Sequence, residues 1–235
     1  METQGDRVAL VTGAYRGIGL EVVRQLARRG FAVVLTARDP SKAEAAAAAL
    51  QEQGLKVVPL RLDVTDTQSI DGARRFVEER FGRLDVLVNN AAVLYDSWQR
   101  AVGADLDTVR EAFETNTLGP WRVAQAFIPL LRKSRGRVVN VSSESGSLAS
   151  MGAGTPAYGV SKAALNALTR MLAAELRPSG VLVNSVCPGW VATEMGGPDA
   201  PRTPAEGAAG VVWAATLPDA GPTGGFFRDG EPLDW

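Results

Sequence analysis

Short apolar runs alternate with helical segments along the whole of this chain, and that alternation restricts its fold more than any other feature. The apolar runs occupy residues 7–12, 31–36, 57–62, 85–88, 137–141 and 182–186. Helical spacing of apolar residues occurs at 20–29, 41–53 (with Ser41 as the predicted cap), 67–81, 106–115, 121–132 and 158–177. Strands that are apolar throughout are typical of a parallel sheet covered on both faces. The chain is therefore predicted to be an α/β protein, a doubly wound parallel sheet with helices on both faces, which is the Rossmann fold.

The 235 residues are predicted to form one domain, residues 1–235, because no linker or change of composition divides the chain. The last third is looser, with Gly and Pro concentrated at residues 189–205 and 218–235. In an open α/β sheet the loops that follow the strands enclose the ligand. We therefore expect the loop at about 189–205 to cover a substrate.

Charge and hydropathy exclude several partners. The net charge is −1, from 25 Lys and Arg against 26 Asp and Glu, which favours neither nucleic acid nor an anionic membrane. Residues 1–7, with Glu2 and Asp6, do not resemble a signal peptide, and no run of 18 apolar residues occurs. The expectation is a cytoplasmic protein without nucleic-acid or membrane partners.

The residue types that are rare or missing restrict the chemistry. The single cysteine, Cys187, rules out an internal disulfide. The chain has no histidine, which removes the usual zinc ligand and the Ser-His-Asp triad. No metal site is expected, and any acid or base must be Asp, Glu, Lys, Tyr or Cys187.

A glycine-rich turn joins the first predicted strand to the first predicted helix. Its sequence is TGAYRGIG, residues 12–19, and it places Gly13, Gly17 and Gly19 in the spacing G-x-x-x-G-x-G. Glycine lets the main chain approach a pyrophosphate closely, and the amino end of a helix attracts the negative charge. The turn predicts a dinucleotide site, with a glycine-rich packing turn as the alternative.

Two arginines indicate which dinucleotide binds. Arg38 follows the second strand, where NAD-binding proteins place a carboxylate for the ribose hydroxyls, and Arg16 lies inside the glycine turn. A guanidinium can form paired hydrogen bonds with the 2′-phosphate of NADP. NADPH/NADP+ is therefore the predicted cofactor. The alternative is a solvated Arg38 that pairs with the adjacent Asp39.

Tyr158 and Lys162 lie four residues apart at the start of a predicted helix, so they share one face about one turn apart. A phenol has a pKa of about 10 and becomes a useful acid near neutrality only when a positive charge stabilises the phenolate. Lys162 supplies such a charge, so the pair is predicted to transfer a proton. A surface pair without a function is the alternative.

Ser143 and Asn116 are the other candidate catalytic residues. Ser143 follows the strand at 137–141, at the edge where open α/β sheets build their sites, and is expected to hold a carbonyl oxygen. Alternatively, Ser143 or the adjacent Ser142 only caps the chain as it leaves the strand. Asn116 follows a helix predicted to end near residue 115, so its amide either satisfies carbonyls at a helix end or holds a water beside Lys162.

Together these residues resemble the classical short-chain dehydrogenase/reductase family over essentially the whole chain. The resemblance is carried by TGAYRGIG at 12–19, Asp63-Val64, Asn89-Asn90-Ala91, Asn116, Ser143, Tyr158 with Lys162, and Pro188-Gly189. Within the family, TARD at 36–39, CPGWV at 187–191 and the tail that ends at Trp235 are most similar to NADPH-dependent carbonyl reductases.

The resemblance implies an NADPH-dependent reductase of ketones or aldehydes, reversible to alcohol oxidation. It implies that Tyr158 protonates the carbonyl oxygen while Lys162 lowers the pKa of the phenol and holds the nicotinamide ribose. Ser143 would polarise the carbonyl, and Asn116 would anchor a relay water. It places Asp63 and Val64 at the adenine, Asn90 on the adenosine side, and Val191 and Thr193 at the carboxamide and phosphates. The full set of expected cofactor contacts is Gly13, Tyr15, Arg16, Gly17, Ile18, Gly19, Arg38, Asp63, Val64, Asn90, Tyr158, Lys162, Pro188, Gly189, Val191 and Thr193.

Two departures from the family's pattern are present. The family usually has Asn-Asn-Ala-Gly where this chain ends the motif with Ala92. The monomeric animal carbonyl reductases carry a long insertion between the serine and the tyrosine, whereas Ser143 and Tyr158 are 15 residues apart here. Without an insertion to cover them, the helices around 106–132 and 158–177 are free to pack against a second copy. We therefore expect a homodimer or homotetramer.

Three other functions remain open. They are a biosynthetic ketoreductase with one tailored substrate, an NAD-linked alcohol or sugar dehydrogenase, and a non-catalytic NADP-binding sensor. Arg38 disfavours the second, and the four catalytic candidates disfavour the third. The substrate pocket is expected along 92–98, 144–155 and 190–202, where Tyr95, Trp98, Met151, Trp190 and Met195 indicate a moderately apolar ligand.

Overall fold

The computed structural model describes residues 7–235. The prediction that the first residues are not a signal peptide, and the inclusion of residues 1–6 in the single domain, therefore lie outside the described residues. Within residues 7–235 the chain forms one sheet of eight strands, β1 (Val8–Val11), β2 (Ala32–Ala37), β3 (Val57–Arg61), β4 (Val86–Asn89), β5 (Arg137–Val141), β6 (Leu182–Val186), β7 (Phe226–Arg228) and β8 (Glu231–Pro232). The α-helices are α1 (Gly17–Arg28), α2 (Pro40–Gln51), α3 (Thr67–Phe81), α4 (Leu106–Phe113), α5 (Gly119–Ser134), α6 (Pro156–Leu176) and α7 (Pro204–Ala215). Among the described residues, no helix is both long and apolar enough to cross a membrane.

The strand order is β3-β2-β1-β4-β5-β6-β7-β8, and neighbouring strands are parallel except β7 and β8. Strand β1 pairs with β2 on one side and with β4 on the other, so that Val11 lies opposite both Leu35 and Val88. This is the doubly wound order, in which the direction of strand addition reverses beside β1. The predicted fold class is confirmed, and each of the six predicted strands is found within one residue of its expected bounds.

The apolar strands build a core on each side of the sheet. Alternate residues point to opposite faces, so Ala9 and Val11 pack on the side of α1, α2 and α7, whereas Val8 and Leu10 pack on the side of α3, α5 and α6. Helix α4 packs against α6. Burial on both faces explains why these strands are apolar throughout.

Several helix boundaries differ from the sequence prediction by a few residues, and two of the differences have a clear local cause. Helix α2 is capped by Asp39, whose carboxylate accepts a hydrogen bond from the Ser41 main-chain N–H, because Pro40 occupies the first helical position. The helix predicted to end near residue 115 does not end there, since a π-helical turn, Glu114–Leu118, connects α4 directly to α5. Pro120 suggested a break, but it lies in the first turn of α5, where a missing N–H costs little.

The carboxyl-terminal third is more regular than its Gly and Pro content indicates. Helix α7 begins with a capping box in which Thr203 and Glu206 bond each other's main chain. Gly207 lowers the helical propensity, yet a Cβ there would lie 2.6 Å from a side-chain carbon of Val191, so close packing requires the glycine. Strand β7 then extends the sheet beside β6 through Phe226 and Phe227.

Candidate active site

A cavity of about 930 Å³ lies at the carboxyl ends of β1 to β6. Most of its wall is formed by the segments that directly follow these strands, which is where open α/β sheets bind ligands. Every site residue predicted from the sequence lines this cavity except Asn116, which is fully buried. The fold thus brings together residues that lie as much as 180 positions apart, from Gly13 to Thr193.

The glycine turn is shaped by close contact with the end of β4. Gly13 and Gly17 have φ of +60° and +57°, and a Cβ on Gly13 would lie 2.9 Å from the Cα of Ala91. A Cβ on Gly19 would lie 2.4 Å from Nδ2 of Asn90. That same nitrogen donates to the carbonyl oxygens of Thr12 and Gly13, at 2.9 and 3.0 Å. Asn90 therefore holds the turn, in addition to lining the cavity.

The amino end of α1 is open to a ligand. The helix begins at Gly17 with no side-chain cap, and its first turn contains no acidic residue. The N–H groups of a first helical turn have no partner within the helix, and together with the helix dipole they attract an anion. The cradle therefore has the shape and the donors that a pyrophosphate requires.

Three cations line the cavity beside this turn. They are Arg16, Arg38 and Lys42, the last of which sequence reasoning missed although it lies four residues after Arg38. The Arg16 guanidinium and the Lys42 ammonium lie 5.0 and 5.3 Å from the ring centroid of Tyr15. Such a cluster suits a phosphate.

Arg38 does not pair with the neighbouring carboxylate. The Asp39 side chain accepts from the main-chain N–H and hydroxyl of Ser41, at 3.0 and 2.8 Å, and no ion pair between Arg38 and Asp39 occurs in the described part of the chain. The hydrogen bond from the Ser41 hydroxyl is the main reason that the pKa of Asp39 is lowered. Arg38 is thus available to an anion.

The loop after β6 packs onto the glycine turn. A Cβ on Gly17 would lie 3.3 Å from Cγ2 of Thr193, and Arg16 forms an exposed ion pair with Glu194. Farther along, Arg202 forms two hydrogen bonds with Asp229, at 2.7 and 2.6 Å, which tie the loop to the turn between β7 and β8. The segment expected to cover a substrate therefore borders the cavity. The loop ends where α7 begins, at Pro204, so the last two residues of the predicted range, 204 and 205, belong to that helix.

Helix α6 carries Tyr158 and Lys162 to the carboxyl end of β5. The Lys162 ammonium donates to the carbonyl oxygen of Val141 at 2.7 Å and lies 5.6 Å from the ring centroid of Tyr158. The Ser143 side chain lies close enough to the Tyr158 hydroxyl to lower the pKa of that phenol. The hydroxyls of Ser143 and Tyr158 and the ammonium of Lys162 thus lie together, although Ser143 comes from a different segment than the other two.

Burial controls the protonation of this group. It lowers the pKa of Lys162 from 10.5 to about 8, and it raises the pKa of Tyr158 to about 12, with the Ser143 hydrogen bond acting in the opposite direction. Burial thus raises the pKa of the phenol, whereas the expectation from the sequence is that Lys162 lowers it. At neutral pH, Tyr158 holds its proton and Lys162 is mostly an ammonium.

Asn116 ties the loop after β4 to α6. Its Oδ1 accepts from the Val93 N–H at 2.8 Å, and its Nδ2 donates to the Val93 carbonyl at 2.9 Å and to the Ser161 hydroxyl at 3.0 Å. This amide does not satisfy carbonyls at a helix end, since no helix ends there. The relay water stays a prediction.

Cys187 is a thiol at the cavity wall. Burial is the largest cause of its raised pKa, and its sulfur accepts from the Gly189 N–H at 3.4 Å. A thiol of raised pKa is a poor nucleophile at neutral pH. Among residues 7–235, no group of three or more His, Cys, Asp or Glu side chains is arranged to hold a metal ion.

Comparison with known proteins decides the family. The family model described as short chain dehydrogenase matches residues 7–203. The chain belongs to this short-chain dehydrogenase/reductase family. The resemblance drawn from the sequence is confirmed, and the chain is an oxidoreductase.

Relatives within the family share nearly the full length. The chain is 38% identical to carbonyl reductase [NADPH] 1 of Sus scrofa, over 99% of this chain and 96% of the relative, and 36% identical to that of Bos taurus, over 97% and 98%. Among solved structures, the NADPH-bound carbonyl reductase from chicken fatty liver has a TM-score of 0.88 at 32% identity, covering 98% of this chain and 99% of that one. Salutaridine reductase from Papaver somniferum has a TM-score of 0.83 at 33% identity, covering 95% and 99%.

The substrate end of this dehydrogenase/reductase cavity differs in part from the expected lining. Tyr95, Trp190 and Met195 border it, but Trp98 and Met151 do not. Trp98 is 77% exposed, since the loop after β4 turns away from the cavity beyond Tyr95. Two of the five apolar side chains predicted to line the substrate pocket therefore lie outside the cavity.

The buried Lys162 ammonium predicts a pH-dependent stability. A lowered pKa in the folded state penalises folding below pH 8, and the penalty disappears as the pH rises towards 10.5. Lys162→Met removes this penalty, because methionine carries no charge. The free energy of unfolding of the variant minus that of wild type should therefore fall by about 2 kcal/mol between pH 7 and pH 9.5. Urea unfolding at both pH values measures this. The exposed Lys133→Met is the control, and an advantage that does not change with pH would contradict the prediction.

Proposed function

We propose that this protein is an NADPH-dependent reductase that transfers hydride to the carbonyl carbon of a ketone or aldehyde, with Tyr158 as the proton donor. The proposal rests on one observation: a single cavity contains both the glycine turn with its flanking cations and the side chains of Ser143, Tyr158 and Lys162. The names of the pig, cattle and chicken carbonyl reductases support the same activity.

The cofactor end of the cavity fits NADPH. The turn from Gly13 to Gly19 leaves no room for a Cβ at two positions, and the first turn of α1 offers free N–H groups. Arg38, between β2 and α2, and Lys42, in the first turn of α2, are the side chains that would hold the 2′-phosphate, together with Arg16. Because Arg16 also faces Glu194, the phosphate would compete with this carboxylate for the guanidinium.

The reacting end fits proton transfer to a carbonyl oxygen. A bound nicotinamide cofactor supplies the hydride. Ser143 and Tyr158 both line the cavity, and the Ser143 side chain acts on the Tyr158 hydroxyl, so both hydroxyls can donate to one carbonyl oxygen between them. As the carbonyl carbon is reduced, Tyr158 gives its proton to that oxygen, which yields the alcohol and leaves a phenolate.

Lys162 stabilises the phenolate that this step produces. The ammonium is fixed by the Val141 carbonyl and faces the Tyr158 ring, so its charge acts in a buried setting where electrostatic interactions are strong. A pKa of about 12 keeps Tyr158 protonated until the substrate oxygen becomes basic. A pKa of about 8 leaves Lys162 charged at neutral pH and uncharged in alkaline solution.

Two further proposals accompany this reaction. Asn116, which binds the Val93 main chain, would anchor a relay water beside Lys162. A homodimer or homotetramer is supported by exposed apolar side chains on α4, α5 and α6, namely Leu106, Trp121, Val160 and Met171.

A reductase with one tailored substrate is the second candidate. The likeness to salutaridine reductase favours it, because that structure is named for a single substrate. Activity on one carbonyl compound in a broad panel would favour this candidate, whereas activity on many would favour a general carbonyl reductase.

Tyr158→Phe tests the proton donor. Loss of the hydroxyl removes general acid catalysis, so turnover should fall by about 10²- to 10⁴-fold. The measurement is NADPH consumption at 340 nm over a panel of ketones, aldehydes and quinones. NADPH binding, followed by fluorescence, should persist, because the glycine turn and the cations are unchanged. Turnover in the variant equal to that of wild type would refute the role of Tyr158.

Arg38→Ala tests the cofactor preference. The variant loses a charge-assisted contact with the 2′-phosphate, so the Michaelis constant for NADPH should rise roughly tenfold or more, while that for NADH changes little. Arg75→Ala, an exposed arginine on α3, is the matched control. Equal effects of Arg38→Ala on NADPH and NADH would contradict the assignment.

A further inference from the structure

Asp96 is a buried carboxylate that the proposed mechanism does not use. It lies in the loop between β4 and α4, and it has no exposed surface. Its Oδ2 accepts a hydrogen bond from the main-chain N–H of Ala157 at 2.6 Å. Its Oδ1 is buried without a hydrogen-bond partner among the described residues. Burying a carboxylate is costly, so its retention here calls for a physical reason.

The bond from Ala157 replaces a cap that α6 lacks. The residue before the helix, Thr155, has φ of +47° and makes no side-chain capping bond, and Pro156 has no N–H. Asp96 comes from 61 positions earlier and supplies the acceptor that a local Ser, Thr or Asp would ordinarily provide. Its negative charge also lies at the positive end of the helix dipole.

The two partners of this bond each adjoin the site. Ala157 directly precedes Tyr158, the proposed proton donor. Leu94 and Tyr95, which directly precede Asp96, line the cavity where a substrate would lie. The hydrogen bond therefore joins the wall that contacts the substrate to the helix that carries the acid.

A second attachment holds the same loop three residues earlier. Asn116 bonds both main-chain groups of Val93 and also the Ser161 hydroxyl of α6, and that hydroxyl donates to the Tyr158 carbonyl at 2.8 Å. Segments 93–96 and 157–161 are thus fixed to each other at both ends. Loss of the Asp96 end would leave the first turn of α6, with Tyr158, held on one side only.

We infer that Asp96 is a positioning residue for carbonyl reduction: by capping α6 from the loop after β4, it sets the Tyr158 hydroxyl relative to the substrate wall and to Ser143. The inference rests on the proposed function. It assigns Asp96 no contact with substrate or cofactor. Because displacement of a catalytic group by about 1 Å can cost 10²-fold in rate, a cap at this place has a catalytic consequence beyond its effect on stability.

Kinetics of Asp96→Ala and Asp96→Asn test this inference. Asp96→Ala should lower kcat by about tenfold or more at saturating NADPH and carbonyl substrate. The Michaelis constant for NADPH should change little, because Thr12 and Asn90 hold the glycine turn independently. Asp96→Asn keeps an oxygen that can accept the Ala157 bond and is of equal size, so it should restore much of the lost kcat.

Asp66→Ala is the matched control for capping alone. Asp66 caps α3 by accepting from the Gln68 N–H at 2.9 Å, and it does not line the cavity. The control should lower the melting temperature, as Asp96→Ala does, but leave kcat unchanged. This separates a loss of helix capping from a loss of alignment at the site.

The outcomes distinguish the inference from the function on which it rests. Wild-type turnover together with an unchanged kcat in folded Asp96→Ala would overturn the role of Asp96 and leave the reductase intact. A kcat loss that Asp96→Asn does not restore at all, with Asp66→Ala equally impaired, would show a general stability effect and also overturn it. Absence of wild-type turnover on every carbonyl tested would overturn both.

Discussion

Strand β1 pairs with β2 on one side and β4 on the other, and this arrangement creates the crevice on which the site depends. The chain segments that follow β1 and β4 diverge beyond the carboxyl ends of these strands, yet the first residues of the two segments are in contact. The contact is so close that Gly13 meets Ala91, and Gly19 meets Asn90, without room for a Cβ. The close contact between the segments that follow β1 and β4, where the strand order reverses, therefore explains three features. They are the spacing of the glycines, the position of the Asn90 amide and the open amino end of α1.

A buried polar network fixes the other half of the site. Asn89, at the end of β4, donates to Asn140 of β5, which donates to Thr169 of α6, and the Thr169 hydroxyl bonds Ser185 of β6. Each such bond contributes only about 1 kcal/mol, but leaving a buried partner unpaired costs about 1–3 kcal/mol. The network thus penalises any shift of α6 along the strands. Together with the Lys162 bond to Val141, it fixes the position of α6 along the strands.

The parts of the site that could be predicted from the sequence are those encoded within a few residues. The glycine turn and the pair Tyr158 and Lys162 rest on spacings of two to four positions, and the strands rest on unbroken apolar runs. Lys42 belongs to the same class, since it lies four residues after Arg38. Helix α7 had a local signal in its capping box, but Gly207 and the surrounding prolines concealed it.

Other parts depend on contacts that only the folded chain creates. Asp96 gives no signal in sequence, because its partner Ala157 is 61 positions away. The π-helical turn at Asn116 depends on the Val93 main chain, and so the predicted helix end was wrong there. The pKa of Tyr158 follows burial rather than the nearby charge, since desolvation of the phenolate outweighs the neighbouring groups.

If the cavity brings a carbonyl carbon to the reducing carbon of NADPH beside Tyr158, the transfer of hydride can be traced directly. Wild-type protein would be incubated with the best carbonyl substrate and with NADPH carrying deuterium at either face of nicotinamide C4. One of the two labelled cofactors is expected to place one deuterium on the carbinol carbon of every alcohol molecule formed. An alcohol free of deuterium from both cofactors would contradict direct transfer and with it the proposed function.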